Sequence, residues 1–315
     1  MTEAPTDQPT THDPASTAVA AAPETQGSFL GMGGLELFAR RWAPSGQPRA
    51  AIAIVHGFGD HSGRYADAVE PLTAAGFAVH GFDLRGHGRS SGRRGHIDAW
   101  SDYRDDIDLY LDHVRSQETE GTPLVLYGHS LGAVIVLESV LRRHERSVAV
   151  EDGLVGVIAS SPALRPDGVR SPVRESLAAG ISPVWPTIAM NVPLENEALS
   201  RSPERVAGAK ADPLNHRRLT ARGTVETFRA LAWIDAHAGE WRLPLFIFHG
   251  SADRICNPAG TVAFAENARA GGAPDVELQI YEGGYHEAHN DIDAAVVEAD
   301  VVDWLDRHLA APTRT

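Results

Sequence analysis

The stretch Pro123–Arg143 reads PLVLYGHSLGAVIVLESVLRR. Its first five residues, Pro123–Tyr127, are a short apolar run that fits a buried parallel strand. Ala133–Arg143 suits a helix. Between them lies Gly128-His129-Ser130-Leu131-Gly132, a G-x-S-x-G sequence. Such a sequence arises by chance in many chains, and its position between strand and helix sets this one apart. There the serine hydroxyl is lifted above a sheet edge and the flanking glycines permit a strained turn. The helix N-terminus offers backbone N–H groups to a developing oxyanion.

The same alternation extends outward. Ala51–Val55, Ala78–Phe82, Leu154–Ala159, Leu243–Phe248 and Val276–Tyr281 read as buried strands. Arg64–Ala75, Asp102–Arg115, Gly260–Ala270 and the amphipathic Asp293–Leu309 read as helices. Leu35–Arg41 alternates like a strand after Gly31-Met32-Gly33-Gly34, whose spacing is not that of a dinucleotide fingerprint. The expected class is α/β, with a mostly parallel central sheet and helices on both faces. Ser161 to Leu243 is far longer than the dozen or so residues of a parallel crossover. Residues 163–240, with Thr220–Ala238 helical, are therefore expected to form a helical cap over the C-terminal edge of a core made of 28–162 and 241–311.

Composition narrows the function. The 315 residues are 43% hydrophobic and 22% charged, ample for a large core. Against 42 acidic residues stand 28 Lys and Arg, a net charge of −14 that disfavours nucleic acid as a partner. The locally basic Asp83–Ser91 and Arg93–His96 lack interleaved aromatics and read as a structural turn. Cys256 is the one cysteine, which excludes a disulfide framework, and it reads as a small buried residue. Residues 1–27, rich in Pro, Thr and Ala without Lys or Arg, read as a disordered acidic tail and not a secretory signal. The expected localisation is cytoplasmic, with no transmembrane helix.

A nucleophilic serine needs a base and the base an orienting acid. Asp253, in His249-Gly250-Ser251-Ala252-Asp253, follows the strand Leu243–Phe248; His286, in Glu282-Gly283-Gly284-Tyr285-His286, follows Val276–Tyr281. The order Ser130, Asp253, His286 is that of the α/β-hydrolase triad. Asp212, His289 and His308 are the competing residues, read as a cap turn residue, a neighbour and a terminal-helix residue. His286-Glu287-Ala288-His289 is not H-E-x-x-H, so no zinc site is expected. The loop His56-Gly57-Phe58-Gly59 follows the strand Ala51–Val55, and the Phe58 and Leu131 N–H groups are the expected oxyanion donors.

His56 through Tyr65 (HGFGDHSGRY), Asp83 through Ser90 (DLRGHGRS), Arg94-Gly95-His96, the serine motif, Asp212-Pro213-Leu214 and Tyr285-His286-Glu287 resemble the monoacylglycerol lipases over about residues 28 to 309. The resemblance implies a capped serine hydrolase that frees fatty acid from a monoacylglycerol without metal or organic cofactor. A lysophospholipase or a general carboxylesterase would share the triad, and a non-catalytic binding protein on the same scaffold is the alternative of a different class. An aminopeptidase would call for acids in the cap; residues 163–240 hold ten basic and nine acidic residues. Dehalogenase and epoxide hydrolase chemistry need Asp where Ser130 stands. Leu177, Ile181, Val184, Trp185, Ile188 and Met190 are expected to divide between packing on the core and lining an acyl channel. The expected partner is a small lipid ester, with transient membrane-surface contact through the cap and no obligate protein partner.

Overall fold

The structure, a computed structural model, describes residues 23–145, 153–168 and 170–309. β1 (Glu24–Leu30) and β2 (Glu36–Trp42) form an antiparallel hairpin, and β2 also runs antiparallel to β4 (Ala78–Phe82). The remaining strands of this sheet are parallel: β3 (Ala51–Val55), β5 (Leu124–His129), β6 (Leu154–Ser160), β9 (Leu245–Gly250) and β10 (Val276–Tyr281). The eight strands lie in the order β1-β2-β4-β3-β5-β6-β9-β10.

Two-residue periodicity divides the strand side chains between two cores. Ala51, Ala53 and Val55 face one layer with Leu124, Leu126, Leu245 and Ile247; Ile52, Ile54, Val125, Tyr127, Phe246 and Phe248 face the other. Both faces must be covered, which is why these strands are apolar without a gap. The first layer is covered by α2 (Ser101–Gln117), α3 (Leu131–Glu145) and α7 (Pro258–Ala270). The second is covered by α1 (Ala66–Ala74) and α8 (Ala294–His308), whose Val297, Val301, Trp304 and Leu305 are buried.

Between β6 and β9 the chain forms α4 (Pro172–Ile181), β7 (Ala189–Asn191), α5 (Pro203–Ala211), β8 (Arg218–Thr220) and α6 (Ala221–His237), with β7 and β8 paired antiparallel. Ser171, Ser202 and Thr220 start α4, α5 and α6 by accepting a hydrogen bond from the backbone N–H three residues on, so each helix begins where its cap residue stands. No helix among the described residues is long and apolar enough to cross a membrane.

The expected tail boundary at Gly27 needs correction. Glu24–Gly27 pair with Ala39–Trp42 inside β1. Residues 1–22 lie outside the described residues. An edge strand open to water on both sides has no apolar alternation to read, and ETQG shows none. The backbone ladder holds it, with Phe29 as the one side chain of β1 reaching inward, 5.7 Å from Phe82 and 5.8 Å from Tyr110 between ring centroids. Phe29→Ala is accordingly expected to lower the unfolding free energy by about 1–3 kcal/mol, read from urea melts.

Candidate active site

Ser130 adopts φ +53°, a left-handed conformation that a non-glycine residue rarely takes. Its N–H donates to the Ser160 carbonyl (2.9 Å), and its own carbonyl accepts from Val134 and Ala163 (each 3.2 Å). The strain sits in the serine, since neither flanking glycine has a positive φ. Those glycines admit close approach instead. A Cβ on Gly128 would lie 2.5 Å from Ala133 Cα, and one on Gly132 would overlap the Val55 carbonyl. Helix α3 can begin against β3 and β5 only because both positions are bare.

The structure brings Ser130, His286 and Asp253 into one row. The Ser130 hydroxyl donates to His286 Nε2 (2.9 Å), and His286 Nδ1–H donates to Asp253 Oδ2 (2.6 Å). Asp253 Oδ1 accepts the N–H groups of Ile255 (2.7 Å) and Cys256 (3.0 Å). Sequence reasoning left His249 without a role. Its Nε2–H also donates to Asp253 Oδ2 (2.8 Å), and its Nδ1 faces the Thr261 hydroxyl (2.6 Å). Burial alone would raise the Asp253 pKa. The His286 charge and the hydrogen bonds from both histidines outweigh it and hold the carboxyl well below its usual range. For His286, burial works downward, but the charge and hydrogen bond of Asp253 prevail and the pKa is raised.

The loop after β3 lies across from the serine. The His56 ring fixes it at both ends: Nδ1–H donates to the Gly57 carbonyl (2.8 Å) and Nε2 accepts the Leu84 N–H (2.9 Å). Gly57 sits beside Ser130, where a Cβ would stand 3.2 Å from the serine Cβ. Neither the Phe58 nor the Leu131 N–H donates to a protein acceptor among the described residues. Both residues line a cavity of about 460 Å³ that also contains Ser130 and His286.

The lining of that cavity includes both polar and apolar groups. Asp60, Arg64, Asp212 and Glu287 form a polar part, with Arg64 bidentate on Glu287 (2.9 and 2.8 Å) and His61 Nε2 on Asp212 Oδ2 (2.8 Å). Ile97, Tyr103, Leu131, Val134, Leu219 and Phe228 form an apolar part. The division expected for the cap residues is corrected here: of the six, Met190 alone lines the cavity, and Leu177, Val184, Trp185 and Ile188 are exposed. On α4 it is the polar Arg174 and Glu175 that reach the cavity, while the apolar Leu177 stays exposed and the helix packs on α6.

Asp212 ends α5, where its Oδ1 accepts the Leu214 N–H (2.9 Å), and ties the insertion to the loop at His61. His289 stacks on Tyr65 and burial pushes its pKa down to about 4. Cys256 is buried, which raises its thiol pKa. The basic Asp83–Ser91 stretch is a turn organised by Asp83, whose carboxylate accepts from Ser62 and the Arg89 N–H. His249, Asp253 and His286 are close enough for a metal. Yet their facing atoms are committed to one another, to Ser130 and to Thr261.

The arrangement is suited to acyl transfer onto a serine, and it makes the protein a serine hydrolase built on the α/β-hydrolase fold. The family model for serine aminopeptidases of the S33 type matches residues 46–293. The monoacylglycerol lipase of Mycolicibacterium smegmatis is 32% identical over 90% of this chain and 97% of its own length. Human monoglyceride lipase is 30% identical over 82% of both chains. The crystal structure of Paleococcus ferrophilus monoacylglycerol lipase superposes with a TM-score of 0.77 at 30% identity, covering 87% of this chain and 99% of that one. The chain belongs to the S33 serine hydrolase family and to the monoacylglycerol lipase family that these relatives represent.

Ser130→Ala and His286→Ala should each lower kcat by at least ~10⁴ with the thermal melt retained, since such residues act as a unit. His289→Ala should cost stability while keeping most of kcat on a short nitrophenyl ester; the reverse outcome would move the base to His289. The base must be neutral, so kcat/KM falls as pH drops through the His286 pKa. Because that pKa is raised, the acidic limb should lie above the ordinary histidine value of about 6.5 and move down in Asp253→Asn.

Proposed function

We propose that the protein hydrolyses the ester bond of monoacylglycerols, releasing fatty acid and glycerol through an acyl-enzyme on Ser130. The observation that carries this reading is a single cavity that holds the serine together with apolar side chains suited to an acyl chain and polar ones suited to a small polyol. His286 takes the Ser130 proton as the hydroxyl attacks the ester carbonyl. Asp253 holds the imidazole tautomer and stabilises its cation. The Phe58 and Leu131 N–H groups receive the tetrahedral oxyanion. His286 then protonates the departing glycerol oxygen, and water repeats the sequence on the acyl-enzyme.

The paired charges argue against a peptidase. Asp60, Glu175, Asp212 and Glu287 line the cavity, but each already has a basic partner and none is left for a substrate ammonium. A lysophospholipase is the second reading, favoured by Arg174 and Arg217. Both line the cavity and donate to the Asn191 carbonyl and the Asn196 side-chain oxygen, with no carboxylate on either among the described residues. A phosphate would find two donors there.

The insertion also supports transient contact with a membrane surface. Val173, Leu177, Val184, Trp185 and Ile188, on α4 and the segment after it, are 45–77% exposed. Single exposed apolar residues are ordinary, but five together beside Arg174 suit an interface with anionic lipid.

Side-by-side assays of mono-, di- and trioleoylglycerol, oleoyl lysophospholipid and short nitrophenyl esters test the substrate. Monoolein should be cleaved at least ~10-fold faster than triolein, because a triacylglycerol must place two further chains. Equal rates on the two, or activity confined to short esters, would overturn the proposal in favour of a general esterase. Failure of Ser130 to label with a fluorophosphonate would point to a binding protein. Trp185→Ser with Val184→Ser should weaken sedimentation with anionic vesicles while leaving hydrolysis of a soluble short ester intact.

A further inference from the structure

A second cavity, of about 260 Å³, lies between α6 and α7 and is bordered by the segment Leu164–Pro166. Leu231, Ile234 and Phe264 are its buried apolar lining, and small residues also border it, Ala232 on α6, Ala238 just after it, and Gly260 and Ala263 on α7. Its rim is polar, with Arg165, Arg170 and Asp235. Pro166, Arg170 and Phe228 line this chamber and the catalytic cavity alike. The two therefore share part of one wall. Arg170 lies over the Phe228 ring with its guanidinium carbon 5.1 Å from the centroid, and Arg170, 48% exposed, pairs with Glu175 at the surface.

We propose that Phe228 is a door and that the second chamber receives the distal methylenes of acyl chains too long for the catalytic cavity, an inference that rests on the acyl-ester reading above. Phe228 lines the same cavity as Ser130, Leu131 and Val134, and it lines the second chamber as well. When the ring swings aside the chain gains further apolar surface between α6 and α7, and the aliphatic stems of Arg165 and Arg170 cover its end. Phe228 thus sets the chain length at which added methylenes stop contributing.

The test is the ratio of kcat/KM on monoeicosanoylglycerol to that on monooctanoylglycerol, each below its aggregation threshold. Phe228→Ala should raise this ratio at least ~4-fold, the worth of about one more buried methylene. Phe228→Leu should raise it less. Ala263→Leu, which fills the chamber from α7 without touching the door, should lower the ratio, and combining it with Phe228→Ala should cancel the gain. Thermal melts identify any variant that fails to fold, and Ala263→Leu decides the matter if Phe228→Ala is such a variant. An unchanged ratio in Ala263→Leu, or a gain in Phe228→Ala that survives the filled chamber, overturns the proposal while leaving the lipase reading intact. If the unaltered enzyme cleaves short nitrophenyl esters but no monoacylglycerol, the substrate reading itself fails and the chamber with it.

Discussion

Everything near the reacting atoms depends on how closely α3 is allowed to approach the sheet. A side chain on Gly132 would overlap the Val55 carbonyl, and one on Gly128 would meet α3 itself. With both bare, the turn from β5 into α3 closes in so few residues that Ser130 is left in the left-handed region, at a cost of about 1–3 kcal/mol. Three backbone hydrogen bonds, to Ser160 and from Val134 and Ala163, over-determine that conformation. The strain places the hydroxyl 2.9 Å from His286 and leaves the Leu131 N–H without a protein acceptor among the described residues. The left-handed serine is thus a consequence of helix packing, and the position of the hydroxyl is a consequence of the serine.

Electrostatics then distinguishes one histidine from the rest. Burial lowers the pKa of His56, His87, His129 and His289 around the site and keeps them neutral. His286 is as deeply buried, yet its pKa is raised. Contact with a carboxylate is not the whole explanation, because His80 faces Glu118 at 2.7 Å and its pKa is lowered. His286 also feels the charges of Glu287 and Asp60, and the two carboxylates are claimed differently. Arg41 takes both oxygens of Glu118, whereas Asp253 is shared with His249 and two backbone N–H groups, none bearing an arginine's permanent charge. His249 therefore holds Asp253 in place through a hydrogen bond. The wild-type acidic limb of the pH profile measures that balance.

The sequence made the buried parallel strands legible because both their faces are covered, so β3 and β4 carry the ends expected for them, as does the partly buried edge strand β10. The elbow and the three side chains over the sheet edge were legible for a related reason: each follows a strand whose register is fixed by burial. What escaped lies where water replaces packing. β1 has no apolar alternation, so ETQG was assigned to the tail. In the insertion, Leu177, Val184, Trp185 and Ile188 have the composition of a lining and the exposure of a surface. Periodicity shows that a helix has an apolar face and is silent on whether protein, lipid or substrate covers it. His249 escaped because a histidine four residues before an aspartate carries no signal until the chain turns between them.

The insertion is itself anchored unevenly. Residues 199–220 are tied to the core by short polar contacts beside the reacting groups. The Glu287 N–H donates to the Leu199 carbonyl, the His216 N–H to the Gly59 carbonyl and the Thr220 N–H to the Gly95 carbonyl, at 2.8 to 3.0 Å. Glu287 follows His286 and Gly59 follows Phe58, so this part of the insertion shares backbone bonds with the immediate neighbours of His286 and Phe58. The Asp212–His61 pair and the Arg201–Asp291 pair lie in the same stretch. Helix α4 and the exposed apolar residues after it lean instead on α6, the helix that also carries Phe228. One stretch of the insertion thus holds Asp212 beside the core, while α4 meets the cavity through Arg174 and Glu175 and packs on α6. An apolar surface that engaged α4 would act on that part of the lining and leave the hydrogen-bonded row from Ser130 to Asp253 where the core has put it.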